Sequence, residues 1–230
     1  MGSSMPSTFH RADRRRLALN DIIAMLSESK KPLIICDVDE VVLEFIVPFQ
    51  NYLASIDHRL HADSFHLDGN VRRIADDVPA TKGEVGAFLE AFFSTQDKWQ
   101  TPARGASAAL AGLKDDADIV FLTSMPPRHQ MVRRTVLDLH GFPYPIIATE
   151  EAKGPIAGSL IGNRSIPSVF LDDIARNLHS VHEHAPSCLL INLMANEAFK
   201  ALAPDPGEGV HKARDWTHAG ELIRAHFGTS

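Results

Sequence analysis

Long apolar runs are missing from this chain, and so is any excess of positive charge. No stretch approaches the roughly 20 apolar residues that a membrane-spanning helix requires, and the N-terminal region lacks the apolar segment of a secretory signal. The expectation is a soluble, cytoplasmic protein with no membrane partner. Only two cysteines occur, Cys36 and Cys188, each inside an apolar run. They read as small buried hydrophobes in a reducing compartment and argue against a disulfide framework or a cysteine-rich metal site. A formal net charge of −6 leaves no broad basic surface for nucleic acid. Arg14, Arg15 and Arg16 open an amphipathic pattern through Leu17, Ile22, Ile23 and Leu26. They read as the solvated face of an N-terminal helix over about 10–29 rather than as a nucleic-acid arm. The 12 histidines are scattered without metal-ligand spacing.

What is present is a rhythm. With 230 residues and 44% hydrophobic content, the chain is long enough for one α/β core and a small accessory unit. Five short apolar runs have strand character, at 33–37, 118–123, 146–149, 168–172 and 187–192. Helical patterns separate most of them, at 104–113, 129–139 and 174–184, with a final helix over 217–227 capped by Thr217. Such alternation predicts right-handed crossovers and a doubly wound, mostly parallel, five-stranded Rossmann-like sheet. The stretch from Asp37 to Thr123 is far longer than one crossover helix consumes. Its surplus, 45–100, carries helix-like segments at 49–56 and 83–93 and no buried strand, so it reads as a small α-helical cap that closes over a substrate, or as an enlarged crossover. The core domain is then 1–44 and 101–230.

Charged and hydroxyl residues gather where the apolar runs end. Leu33-Ile34-Ile35-Cys36 runs into Asp37 and Asp39, the second run delivers Thr123 and Ser124, and the fourth delivers Asp172 and Asp173, with Lys153 between the last two. In an open parallel sheet these positions share the carboxyl edge, where ligands bind. Each signal alone also suits a plainer role: a solvated turn for the two acids, a surface lysine, a helix cap at Asp172. Carboxylates brought within about 4 Å repel by some 4 kcal/mol per pair at an effective dielectric near 20, so Asp37, Asp172 and Asp173 together would call for a counter-ion. An all-oxygen site suits Mg²⁺.

This order of residues resembles the haloacid dehalogenase-like hydrolase superfamily. Asp37-Val38-Asp39-Glu40-Val41 is similar to its first motif, Phe121-Leu122-Thr123 to its second, Lys153 to its third and Phe170-Leu171-Asp172-Asp173 to its fourth. The likeness spans about 33–192, while the inserted segment matches only in placement and the N-terminal helix is an addition. The resemblance implies a Mg²⁺-dependent phosphatase of a small phosphorylated metabolite. Asp37 would be the nucleophile that forms an aspartyl-phosphate, Asp39 the acid and base, and Thr123 and Lys153 the grips on the phosphoryl oxygens. The metal would be held by Asp37, Asp172, Asp173 and the backbone carbonyl of Asp39. An acid at Asp39 favours phosphoryl transfer over dehalogenation; a mutase, a phosphonate hydrolase or a non-catalytic metal- and phosphate-binding protein remain as alternatives.

Substrate choice is expected from the cap and from the loop after the second run. Trp99, near Lys98, Gln100 and Arg104, offers a ring for a leaving group, with structural packing as its competing role. Ser124 and Arg128 stand at the expected mouth, with a solvated helix start as the equal alternative for Arg128. Asn177 is placed to support the metal ligands from behind, with a helix-surface role as its alternative.

Overall fold

The computed structural model describes residues 17–62, 64, 66–163 and 165–228. The first part of the expected N-terminal helix, with Arg14, Arg15 and Arg16, lies outside the described residues. From Leu19 to Glu28 the helix is present as α1 and buries Ile22 and Leu26 against the protein's own sheet.

The core is a parallel sheet of six strands. In chain order they are β1 (Leu33–Cys36), β4 (Asp118–Ser124), β5 (Ile146–Thr149), β6 (Ser168–Asp172), β7 (Leu189–Asn192) and β8 (Val210–Lys212), and in space they run β5-β4-β1-β6-β7-β8. Every neighbouring pair is parallel. Alternation along β1 divides the core between two layers. Ile34 and Cys36 pack under α4 (Ala106–Leu113), α5 (Gln130–Leu139) and α9 (Trp216–Phe227). Leu33 and Ile35 pack under α1, α6 (Lys153–Ile161) and α7 (Ala175–His184). The expected doubly wound sheet is therefore observed, with one strand more than the five expected. The extra strand, β8, reads Val-His-Lys, too short and polar to show as an apolar run, and forms because the free edge of β7 offers it backbone partners. Helix α9 starts at Trp216, one residue before the expected start, because Asp215 rather than Thr217 accepts the N–H of His218 at 2.9 Å.

Between β1 and α4 lies the insertion: α2 (Ile46–Ser55), β2 (His58–Leu60), β3 (Val71–Arg73) and α3 (Lys82–Ser94). It is mainly helical, with a two-stranded antiparallel ladder that the sequence pattern does not announce. Each of these strands has three residues, and the arginines and histidine among them mask the alternation. Phe45 stacks on Phe49 and Phe92 meets both edge to face, with centroids 5.3 to 5.5 Å apart, which gives the insertion an aromatic cluster of its own. That cluster continues into Met125, Met194 and Phe199, the last on the short helix α8 (Glu197–Lys200), at the carboxyl edge of the sheet. The insertion is thus seated over the edge where β1, β4 and β6 end. No helix among the described residues is long and apolar enough to cross a membrane.

Candidate active site

The apolar run of β1 stops at Cys36, and the N–H of Asp37 donates to the carbonyl of Leu171 at 2.9 Å, which seats Asp37 beside the end of β6. The chain then folds back sharply, the N–H groups of Val42 and Leu43 both donating to the carbonyl of Val38, at 2.9 and 2.8 Å. The turn puts Glu40 in the left-handed region at φ 60°, which is uncommon for a residue with a Cβ. The Glu40 carboxylate offsets that strain by accepting the N–H groups of Phe45 (2.8 Å), Ile46 (2.6 Å) and Asn196 (2.9 Å). It ties the turn to the start of α2 and to the segment after β7. Burial raises its pKa, against the pull of those three donors. From the far end of the chain, the Trp216 indole donates to the carbonyl of Val41 at 2.8 Å.

Asp37 and Asp172 face each other across a lysine. Lys153 Nζ lies 2.7 Å from Asp37 Oδ1 and 2.7 Å from Asp172 Oδ2, and its side chain is fully buried. Burial works against the charge on Lys153, but the two carboxylates outweigh it and its pKa is raised. Asp172 also accepts the N–H of Ile174 at 2.8 Å and the amide of Asn177 at 3.0 and 3.2 Å. Asn177 therefore supports Asp172 from behind, as its spacing implies.

Lys153 reaches this position because its neighbour is a glycine. A Cβ on Gly154 would lie 2.1 Å from the Ser180 carbonyl oxygen, so α6 could not approach α7 this closely with any other residue. A Gly154→Ala variant is expected to lose about 1–3 kcal/mol of stability and to displace Lys153. Chemical denaturation checks the first consequence.

Asp173 completes the acidic group. Oxygens of Asp37, Asp172 and Asp173 lie within 4.8 Å of one another, and all three residues are buried. Burial raises the Asp37 carboxyl to about 7, with Lys153 opposing and Asp172 and Asp39 adding to the shift. Burial, then the charges of Asp172 and Asp37, push Asp173 well above the usual carboxylate range. Three carboxylates with one ammonium in a buried space are short of positive charge, and an all-oxygen set of this size fits a divalent cation of the Mg²⁺ type.

Asp39 is held separately. Arg133, on α5 and fully buried, places one guanidinium nitrogen 2.9 Å from Asp39 Oδ1 and 3.0 Å from Oδ2. Its Nε donates to Gln96. The Gln100 amide donates to Asp39 Oδ1 at 2.8 Å, and the Thr123 hydroxyl stands 3.5 Å from Oδ2. Sequence reasoning missed Arg133 and Glu40, and placed Gln100 near a leaving group rather than on Asp39. One signal for Arg133 was available: it sits three and four residues before Val136 and Leu137, on the inward stripe of its helix.

The remaining expected residues divide. Ser124, at the end of β4, lines a cavity of about 290 Å³ together with Asp37, Asp39 and Asp173. Arg128 does not line it; its guanidinium pairs with Glu90 of α3, which also meets His129 at 2.9 Å. Trp99 does not line it either. Its ring packs on Tyr52 with centroids 5.8 Å apart, and its N–H donates to Thr95 at 3.3 Å.

No protein-family model and no curated protein matches the sequence. Solved structures match in shape. A conserved haloacid dehalogenase-like protein of unknown function from Agrobacterium tumefaciens superposes with a TM-score of 0.60 at 13% identity, over 85% of this chain and 98% of that one. A haloacid dehalogenase-like hydrolase family protein from Streptococcus pneumoniae gives 0.55 at 11% identity, over 84% and 98%. CbbY from Rhodobacter sphaeroides, solved with phosphate, gives 0.54 at 14% identity, over 83% and 98%. This chain has the haloacid dehalogenase-like fold. Within that fold the four separated sequence signals, at Asp37, Thr123, Lys153 and Asp172, come to one rim of the sheet.

Proposed function

We propose that this haloacid dehalogenase-like protein is a Mg²⁺-dependent phosphomonoester hydrolase of a small cytoplasmic metabolite, working through an aspartyl-phosphate on Asp37. The observation that carries the reading is the convergence of Asp37, Asp172 and Asp173, the first two bridged by buried Lys153, with Asp39 nearby. Free, buried Cys36 and Cys188 accord with a reducing compartment.

Asp37, Asp172, Asp173 and the backbone carbonyl of Asp39 would hold the ion, which when bound supplies positive charge to the acids and to the phosphoryl oxygens. A carboxylate oxygen of Asp37 attacks phosphorus as the bond to the alcohol oxygen breaks. Asp39 gives that oxygen its proton, then takes one from the water that cleaves the aspartyl-phosphate and returns Asp37 to a carboxylate. Arg133 and Gln100 keep Asp39 in one orientation through both steps. Lys153 and the hydroxyls of Thr123 and Ser124 oppose the charge that spreads over the phosphoryl oxygens. The insertion, tied to the core through the contact of Glu90 with Arg128 and His129, covers the site and limits water.

Release of inorganic phosphate from a panel of phosphomonoesters, with Mg²⁺ and with EDTA, tests the reading. Turnover that requires Mg²⁺, stops with EDTA and returns on adding Mg²⁺ is the expected outcome. Turnover indifferent to EDTA, or no turnover of any ester, would remove it.

A further inference from the structure

The wall of the cavity differs from its floor. At the floor are Asp37, Asp39 and Asp173. Above them the surface is hydrocarbon from three separate segments: Phe45 and Ile46 where α2 begins, Leu89 and Phe93 one turn apart on α3, and Met194 and Phe199 after β7. The donors and acceptors of the polar side chains that also line the cavity are largely engaged. Glu40 is taken up by three backbone N–H groups, and the NH₂ of Asn177 by Asp172. Ser124 remains, at the end of β4.

Among the described residues, no lysine or arginine lines this cavity. Arg133 is fully buried behind Asp39, and Arg128 is paired with Glu90 outside. A second phosphate or carboxylate on the substrate would meet acids and hydrocarbon there, with no cation to receive it. Sugar hydroxyls would fare little better, since each one set against Phe, Leu or Ile loses its water without gaining a partner.

Resting on the phosphoryl-transfer reading above, we propose that the alcohol half of the substrate is an uncharged, mainly hydrocarbon group, an aromatic ring or a cyclic or branched aliphatic chain. It is neither a sugar nor a group bearing a second anion. The size agrees: an apolar cavity of about 150 Å³ accepts a benzene ring, so about 290 Å³ has room for a phosphoryl group and one ring-sized body.

Two esters matched in shape make the test. Cyclohexylmethyl phosphate and glucose 6-phosphate each carry the phosphate on a CH₂ attached to a six-membered ring, and differ in the ring's polar groups. With the Mg²⁺-loaded protein, kcat/KM is expected to be at least about tenfold higher for the cyclohexyl ester, and a Leu89→Gln variant should narrow that ratio. Equal or better turnover of glucose 6-phosphate, or of a sugar bisphosphate, overturns the inference and leaves the hydrolase reading standing. Binding is read apart from turnover by calorimetry with benzylphosphonate and methylphosphonate. Benzylphosphonate is expected to bind at least about tenfold more tightly, and equal affinities overturn the inference. Absence of turnover with that preference intact sinks the hydrolase reading and keeps the apolar site.

Discussion

Replacing Asp37 with Asn is expected to lower the rate of phosphate release by more than about 10⁴-fold, the scale of loss when a nucleophile is removed. The fold should survive. Asn is nearly the same shape, and it removes negative charge from a group in which burial, with Asp172 and Asp39 adding and Lys153 opposing, lifts the Asp37 carboxyl to about 7. Lys153 retains its contact with Asp172 at 2.7 Å. Thermal unfolding of the variant without metal should therefore match or exceed the parent, while acid-quenched samples carry no acyl-phosphate. A variant with near-normal turnover would mean that the phosphoryl group is accepted elsewhere.

The second large effect is expected at Lys153. Among the described residues its Nζ is the one cation in contact with both Asp37 and Asp172, and all three side chains are buried. Removing one partner of a buried ion pair strands the other charge and typically costs about 3–5 kcal/mol. For a domain of this size each kcal/mol moves the midpoint by about 2–4 °C. Lys153→Met should accordingly unfold about 6–20 °C lower in EDTA, and phosphate release should be lost. Combining it with Asp172→Asn takes away one of the two stranded carboxylates, so the double variant should regain part of the midpoint and none of the turnover. A midpoint within a degree or two of the parent for Lys153→Met alone would contradict the arrangement.

The parts of the fold legible in the sequence were those in which burial and chain order agree. The runs that became β1, β4, β5 and β6 are apolar on both faces because helices cover both sides of the sheet, and such runs stand out without any partner being known. Their abrupt ends at Asp37, Thr123 and Asp172 marked the rim for the same reason. Strand β8 and the β2–β3 ladder were silent, since three-residue strands bearing His, Lys and Arg exist through the edge they pair with. The contacts that orient Asp39 were silent for another reason. Gln100 lies 61 positions and Arg133 94 positions along the chain from it, and only the closed fold brings their side chains within about 3 Å. Trp99 shows the converse: a large aromatic beside polar residues invites a ligand reading, and packs on Tyr52 instead.

A crystal structure of the protein grown with Mg²⁺ and trifluoroberyllate, a mimic of a carboxylate-bound phosphoryl group, tests the central claim most directly. The expected map has beryllium bonded to a carboxylate oxygen of Asp37 and one Mg²⁺ within reach of Asp37, Asp172 and Asp173. Beryllium on any other residue, or an ion seated away from these three acids, would contradict it.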